Sequence, residues 1–186
     1  MQAGSTIESR AGQIPPRIYL TGFMAAGKTT IGSALAELLD RPFVDLDQEI
    51  ERRTGERVRE IFARHGERAF RDLEHESLQR TADLAQGVIA TGGGAMAHER
   101  NRQVIRRLGV SVWLDPGLET LLSRLRRSLR SDRPLFRDEE QARALYLRRL
   151  DAYRMADLRI DTGAEATVES VAASIVSLLR ERSCVI

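Results

Sequence analysis

Eight residues near the N-terminus, Gly22-Phe23-Met24-Ala25-Ala26-Gly27-Lys28-Thr29, match the pattern G-x-x-x-x-G-K-[ST] in full. The pattern constrains the fold strongly, because it works only between an apolar strand and the start of a helix. Both flanks are present. Ile18 to Leu20 form a short apolar run, and Ile31, Ala34, Leu35, Leu38 and Leu39 recur at helical spacing. A chance match in a chain of this length has a probability of roughly one in a hundred before the flanks are demanded.

The residue types follow from the chemistry of a polyphosphate. Small residues let backbone N–H groups turn inward, and the helix behind them points its positive end at the anion. The candidate ATP-binding set is therefore Gly22, Met24, Ala25, Ala26, Gly27, Lys28, Thr29 and Thr30. Lys28 is the only lysine among 29 basic residues. A compact ammonium fits inside such a loop where a planar guanidinium would not. Thr29 offers the hydroxyl expected of an octahedral Mg²⁺ shell.

Further apolar runs at Phe43 to Val44, Val88 to Ala90, Val110 to Leu114 and Leu158 to Ile160 alternate with helix-period sequence. Five strands interleaved with helices predict an α/β fold with a parallel sheet covered on both faces. A last amphipathic helix is expected around Val168 to Leu179, and 186 residues suit one domain, expected over 17–186. Residues 1–16, ending in Pro15 and Pro16, read as a flexible leader. No apolar stretch has the length of a signal core or a membrane span, the lone Cys184 cannot form an internal bridge, and the net charge is only +2. A cytoplasmic monomer that binds neither membrane nor nucleic acid is the expectation. Residues 123–140 carry six arginines interleaved with acids, and Phe136 is the one aromatic among them.

A phosphate loop does not name the phosphoryl acceptor. Asp45 and Asp47, at i and i+2 where the second strand ends, project to the same side at the carboxyl edge of the sheet. One can serve a metal and the other a hydroxyl; equally, Asp47 can cap the following helix.

The runs Phe43 to Asp47, Glu49-Ile50-Glu51, Thr54-Gly55, Ile61-Phe62, Gly66-Glu67, Phe70-Arg71, Glu74, Ala90 to Ala95, Arg133-Pro134-Leu135, and Arg149 with Tyr153, closely resemble the shikimate kinase family. They occur in order from Ile18 to the final helix. The resemblance implies a P-loop kinase fold with a mobile arginine-rich lid at about 123–140, an acceptor-binding segment at about 45–75, and ATP, Mg²⁺ and shikimate as ligands. It implies that Thr29 and Asp45 serve Mg²⁺, that Asp47 holds the reacting hydroxyl, and that Arg71 and Arg149 grip the carboxylate. Gly93 and Gly94 would offer N–H groups, Phe62 and Phe70 would line the pocket, and Glu74 would orient Arg71. Lys28, Asp47 and Arg133 would be catalytic, Arg126 would reach the nucleotide, and Thr162 and Gly163 would border the adenine.

One departure concerns the loop itself, where the family usually has glycine in place of Ala25. If this position needs a positive φ, alanine costs about 1 kcal/mol there. His65, His75 and His98 lack metal-ligand spacing and are expected at the surface. A gluconate-type kinase is disfavoured by the Arg71 and Arg149 pair. A non-catalytic nucleotide module is disfavoured by the joint presence of Lys28, Thr29, Asp45, Asp47 and Arg133.

Overall fold

The computed structural model describes residues 14–128, 139–163 and 165–183. Five parallel strands lie in the order β2-β3-β1-β4-β5: β1 Arg17–Thr21, β2 Phe43–Asp45, β3 Gly87–Ala90, β4 Val110–Asp115 and β5 Leu158–Asp161. Register is set by pairs such as Tyr19 with Ile89, Leu20 with Val112, Val44 with Ile89, and Leu114 with Ile160. Every residue of β3 and β4 is buried, as are the last four of β1. Burial at successive positions means that both faces are covered, and it explains why these strands read as continuous apolar runs.

The helices among the described residues are α1 Lys28–Leu38, α2 Leu46–Thr54, α3 Val58–Arg80, α4 Glu99–Leu108, α5 Leu118–Ser128, α6 Glu139–Arg154 and α7 Val168–Ser183. The main core joins Leu20, Leu35, Ile89, Val112, Leu114, Ile175 and Leu179, so the stripes expected on α1 and α7 do meet the sheet, except for Leu38, which is exposed. A smaller cluster of Ile50, Ile61 and Phe70, flanked by Val58, Phe62 and Leu73, holds α2 to α3. It gives the segment after β2 a hydrophobic core of its own. Helix α3 is broken at Gly66 (φ 81°, ψ 171°), where an added Cβ would meet nothing within 4 Å. Backbone conformation, not lack of space, is what calls for glycine there.

Of the stretch read as a leader, residues 14–16 are tied to the domain: Arg41 donates to the carbonyls of Ile14 and Pro15, at 3.2 and 2.6 Å, and the Gly87 N–H donates to that of Pro16. Among the described residues no helix is long and apolar enough to cross a membrane. Most of the lid segment, residues 129–138 with Arg133, lies outside the described residues.

Candidate active site

The carboxyl ends of β1, β2 and β3 bring three loops to one edge of the sheet, the usual ligand edge of such folds. The first is the phosphate loop. Its Lys28 Nζ donates to the carbonyls of Gly22 (3.0 Å) and Phe23 (2.9 Å), which leaves one of three ammonium protons for a ligand. Burial pulls the Lys28 ammonium down from 10.5 to about 8, although the Asp47 and Asp45 carboxylates oppose that shift. Ala25 has φ 60°, so the loop does hold a non-glycine residue in the left-handed region, at a cost of about 1 kcal/mol.

The second loop begins with Asp45. Its Oδ1 accepts from the N–H groups of Asp47 and Gln48 at 3.1 and 3.3 Å, and helix α2 starts at Leu46. Asp45 is therefore the N-cap, which corrects the alternative that assigned capping to Asp47. The decisive residue is Leu46, which is buried and so fixes the first turn against the core. The other Asp45 oxygen, Oδ2, accepts from Thr29 Oγ1 at 2.7 Å. With its proton committed to Asp45, the Thr29 hydroxyl keeps its lone pairs for a hard cation, so the pair fits Mg²⁺.

Asp47, freed from capping, has a different setting. Its Oδ1 is sealed from solvent and has no hydrogen-bond partner. Burial pushes its carboxyl pKa up, and nearby Lys28 pulls it back. An orphaned buried carboxylate oxygen is costly unless a ligand completes it.

Gly92 to Gly94 form the third loop, and a Cβ at two of these glycines would displace a neighbouring side chain. A Cβ on Gly92 would lie 2.5 Å from Glu74 Oε1 and 3.0 Å from Asp47 Oδ1. A Cβ on Gly94 would lie 2.8 Å from the guanidinium nitrogens of Arg71. Two carboxylates and a cation thus crowd a bare stretch of backbone. Arg71 bonds Glu74 at 3.1 and 3.2 Å and Glu67 at 3.0 Å, so Glu74 does pair with it as expected. Its guanidinium also lies over the rings of Phe70 (5.3 Å) and Phe62 (5.8 Å), which back it from the small core. From α6, Arg149 Nη1 donates to Gly93 O at 3.2 Å and the Tyr153 hydroxyl donates to the same oxygen at 2.6 Å. Arg71 and Arg149 therefore reach adjacent residues of one loop although 78 positions separate them in sequence. The would-be Cβ of Gly93 is 3.5 Å from Met24 N, so this loop abuts the phosphate loop.

The shikimate kinase family model matches residues 24–180. The chain belongs to the shikimate kinase family. A shikimate kinase of Cereibacter sphaeroides is 44% identical over 168 residues, which cover 89% of this chain and 83% of the relative. A solved structure of shikimate kinase from Acinetobacter baumannii in complex with shikimate superposes with a TM-score of 0.82 at 38% identity, covering 90% of this chain and 94% of that one. The Aquifex aeolicus shikimate kinase does so with 0.79 at 36%, covering 91% and 98%.

Other shikimate kinase positions anticipated from sequence have definite places. Arg126 is exposed on α5 and pairs with Glu139 at the start of α6 (3.2 Å). Thr162 is buried after β5, and the Gly163 N–H donates to Asp161. Phe62 and Phe70 stand behind Arg71. His75 and His98 depart from the expected surface position: both are half-buried, and His75 Nδ1 lies 2.8 Å from Asn101 Oδ1. Among the described residues no group of three or more His, Cys, Asp or Glu side chains could hold a metal. Three residues were given no role from the sequence: Gly92, Tyr153 and Arg124. Only Tyr153 carries a signal there, its place four residues after Arg149; in the fold its buried phenol needs a partner for its hydroxyl.

Proposed function

We propose that this chain transfers the γ-phosphoryl group of ATP to the 3-hydroxyl of shikimate, giving shikimate 3-phosphate and ADP for chorismate and aromatic amino acid biosynthesis. Family membership supports the reaction, and the observation that carries the residue roles is the orphaned Asp47 Oδ1 beside Lys28 and Arg71. A substrate hydroxyl donating to that oxygen would satisfy it and aim its own oxygen at the phosphate loop. As the new P–O bond forms and the bond to the ADP oxygen breaks, the hydroxyl proton passes to Asp47. Burial suits Asp47 to this, since it raises the basicity of the carboxylate.

Lys28 neutralises charge on the transferring group with the donor its loop leaves spare. Thr29 and Asp45 would hold Mg²⁺, which supplies charge neutralisation at the phosphate oxygens. Arg71 and Arg149 take the acceptor's carboxylate, and the N–H groups of Gly93 and Gly94 complete its seat. Arg133, outside the described residues, is assigned to the phosphates, and Arg126 to the nucleotide, by resemblance. Positioning and exclusion of water supply much of the rate, because a wet site would hydrolyse ATP.

A coupled assay of ADP release tests the assignment. Turnover is expected with shikimate and Mg²⁺ together, and only a few per cent of that rate with gluconate or with no acceptor. Equal ADP release without shikimate would defeat it.

A further inference from the structure

The phosphate loop is held from two sides. From within, Lys28 ties the carbonyls of Gly22 and Phe23. From outside, Arg124 on α5 donates from Nη1 to Ala25 O at 3.3 Å and from Nη2 to Thr162 O at 2.9 Å. Thr162 is a firm anchor, since it is buried and its own N–H donates to Asp115 O at 3.1 Å. The bond to Ala25 is long for an N–H···O contact, but the donor is a charged fork whose other arm is fixed.

Ala25 is the residue in most need of such a tie. The Ala26 N–H donates to Phe23 O at 3.2 Å, which closes a turn with Ala25 at its third position. A positive φ at that position is the mark of a type II turn, which prefers glycine. With φ 60°, Ala25 carries the left-handed penalty, equivalent to about fivefold in population against the relaxed loop. Relaxation would rotate the peptides on either side of Ala25, whose N–H groups belong to the phosphate cradle.

We propose that Arg124 is a positioning residue for the nucleotide, holding Ala25 in its strained conformation by tying the phosphate loop to the segment after β5. The inference rests on the reading of this loop as the ATP site. Arg124 touches no reacting atom; it acts through the Ala25 peptide. Because the tie offsets strain specific to a side chain at position 25, its worth depends on that side chain. The two residues must therefore be energetically coupled.

The test is a double-mutant cycle on MgADP affinity by titration calorimetry, using the parent, Arg124→Met, Ala25→Gly and the double variant. Loss of Arg124 is expected to weaken MgADP about tenfold in the parent and about threefold or less beside Ala25→Gly, where no left-handed penalty remains. Arg124→Lys should resemble Arg124→Met, because lysine lacks the planar fork whose two nitrogens each hold one of these carbonyls. It also keeps the test alive should the methionine variant fold poorly. The KM for shikimate should stay within about twofold, whereas a general loss of packing would move both substrates. Equal weakening in the two backgrounds, a change below twofold in the parent, or a parallel rise in the shikimate KM would overturn the proposal. A parent that binds no MgADP would instead defeat the ATP reading on which it rests.

Discussion

Two side chains at the centre of the site are strained electrostatically, and each predicts an outcome. Asp47 has an oxygen without a partner and a carboxyl pushed upward by burial, while the α2 cap belongs to Asp45. Asp47→Asn should therefore leave the thermal midpoint within a few degrees of the parent or raise it. Turnover should fall at least about a hundredfold, in line with loss of a general base. The checks are kcat by coupled assay and Tm by circular dichroism. Lys28 is the counterpart: burial lowers its ammonium to about 8, against 10.5 for an unhindered lysine. Below pH 8 the folded protein carries a desolvated cation at a cost, and between about 8 and 10.5 the unfolded chain binds more protons, so stability rises with pH across that window. Phosphates reverse the balance by favouring the charged form. At pH 8.5 nucleotide binding should take up about half a proton or more, and at pH 6.5 almost none, as titration calorimetry in buffers of different ionisation enthalpy would reveal. Affinity for ATP should correspondingly fall as pH rises through about 8.

At the level of elements, the sequence was informative where periodicity decides and silent where register decides. The five strands and the α1 and α7 stripes were legible because a parallel sheet buried on both faces needs continuous apolar runs, and its covering helices need one apolar face. Which of Asp45 and Asp47 caps α2 was not legible. Both are good caps two residues apart, and the choice falls to the burial of Leu46 between them. The break at Gly66 was equally hidden, since its signal is a single glycine within helix-period sequence. The cap gives Asp45 two tasks, one oxygen for the first turn of α2 and one for Thr29. Substitution can separate them. Asp45→Asn keeps an acceptor for the N–H groups and should unfold near the parent temperature, yet need several-fold more Mg²⁺ for half-maximal rate. Asp45→Ala should show the same Mg²⁺ defect and lose about 1 kcal/mol of stability as well. Denaturant titration with a Mg²⁺ dependence of kcat distinguishes the two variants. Identical unfolding midpoints would mean that the cap contributes nothing.

Across the whole molecule, the acceptor seat is assembled from parts that no local pattern connects. Arg71 comes from α3 after β2, Arg149 from α6 after β4, and the loop they share follows β3. Family resemblance paired the two arginines; periodicity alone would have left both as solvated helix residues. Arg124 was less legible still, being one arginine in a segment crowded with them, its partners lying 99 and 38 positions away. The assembled seat also changes what the carboxylate of a substrate is worth. Neither arginine waits as a bare cation: Arg71 is already neutralised by Glu67 and Glu74, and Arg149 leans on Gly93 O. A substrate lacking the carboxylate would leave polar groups imperfectly paired, but not two isolated buried charges, so the loss should be moderate. Shikimate with its carboxylate reduced to an alcohol should lose about tenfold to a hundredfold in kcat/KM. The arginines should differ in how they respond. Arg71→Lys keeps the charge beside Glu74 but loses the planar fork and its stacking on Phe62 and Phe70, so it should reduce both stability and discrimination. Arg149→Lys surrenders one contact to Gly93 O that the Tyr153 hydroxyl also makes, so it should spare stability while narrowing the preference for shikimate over its alcohol. Measuring kcat/KM for both compounds in the parent and the two variants decides the matter. Equal use of the two compounds by the parent, or an unchanged preference in both variants, would show that the arginines do not read the carboxylate.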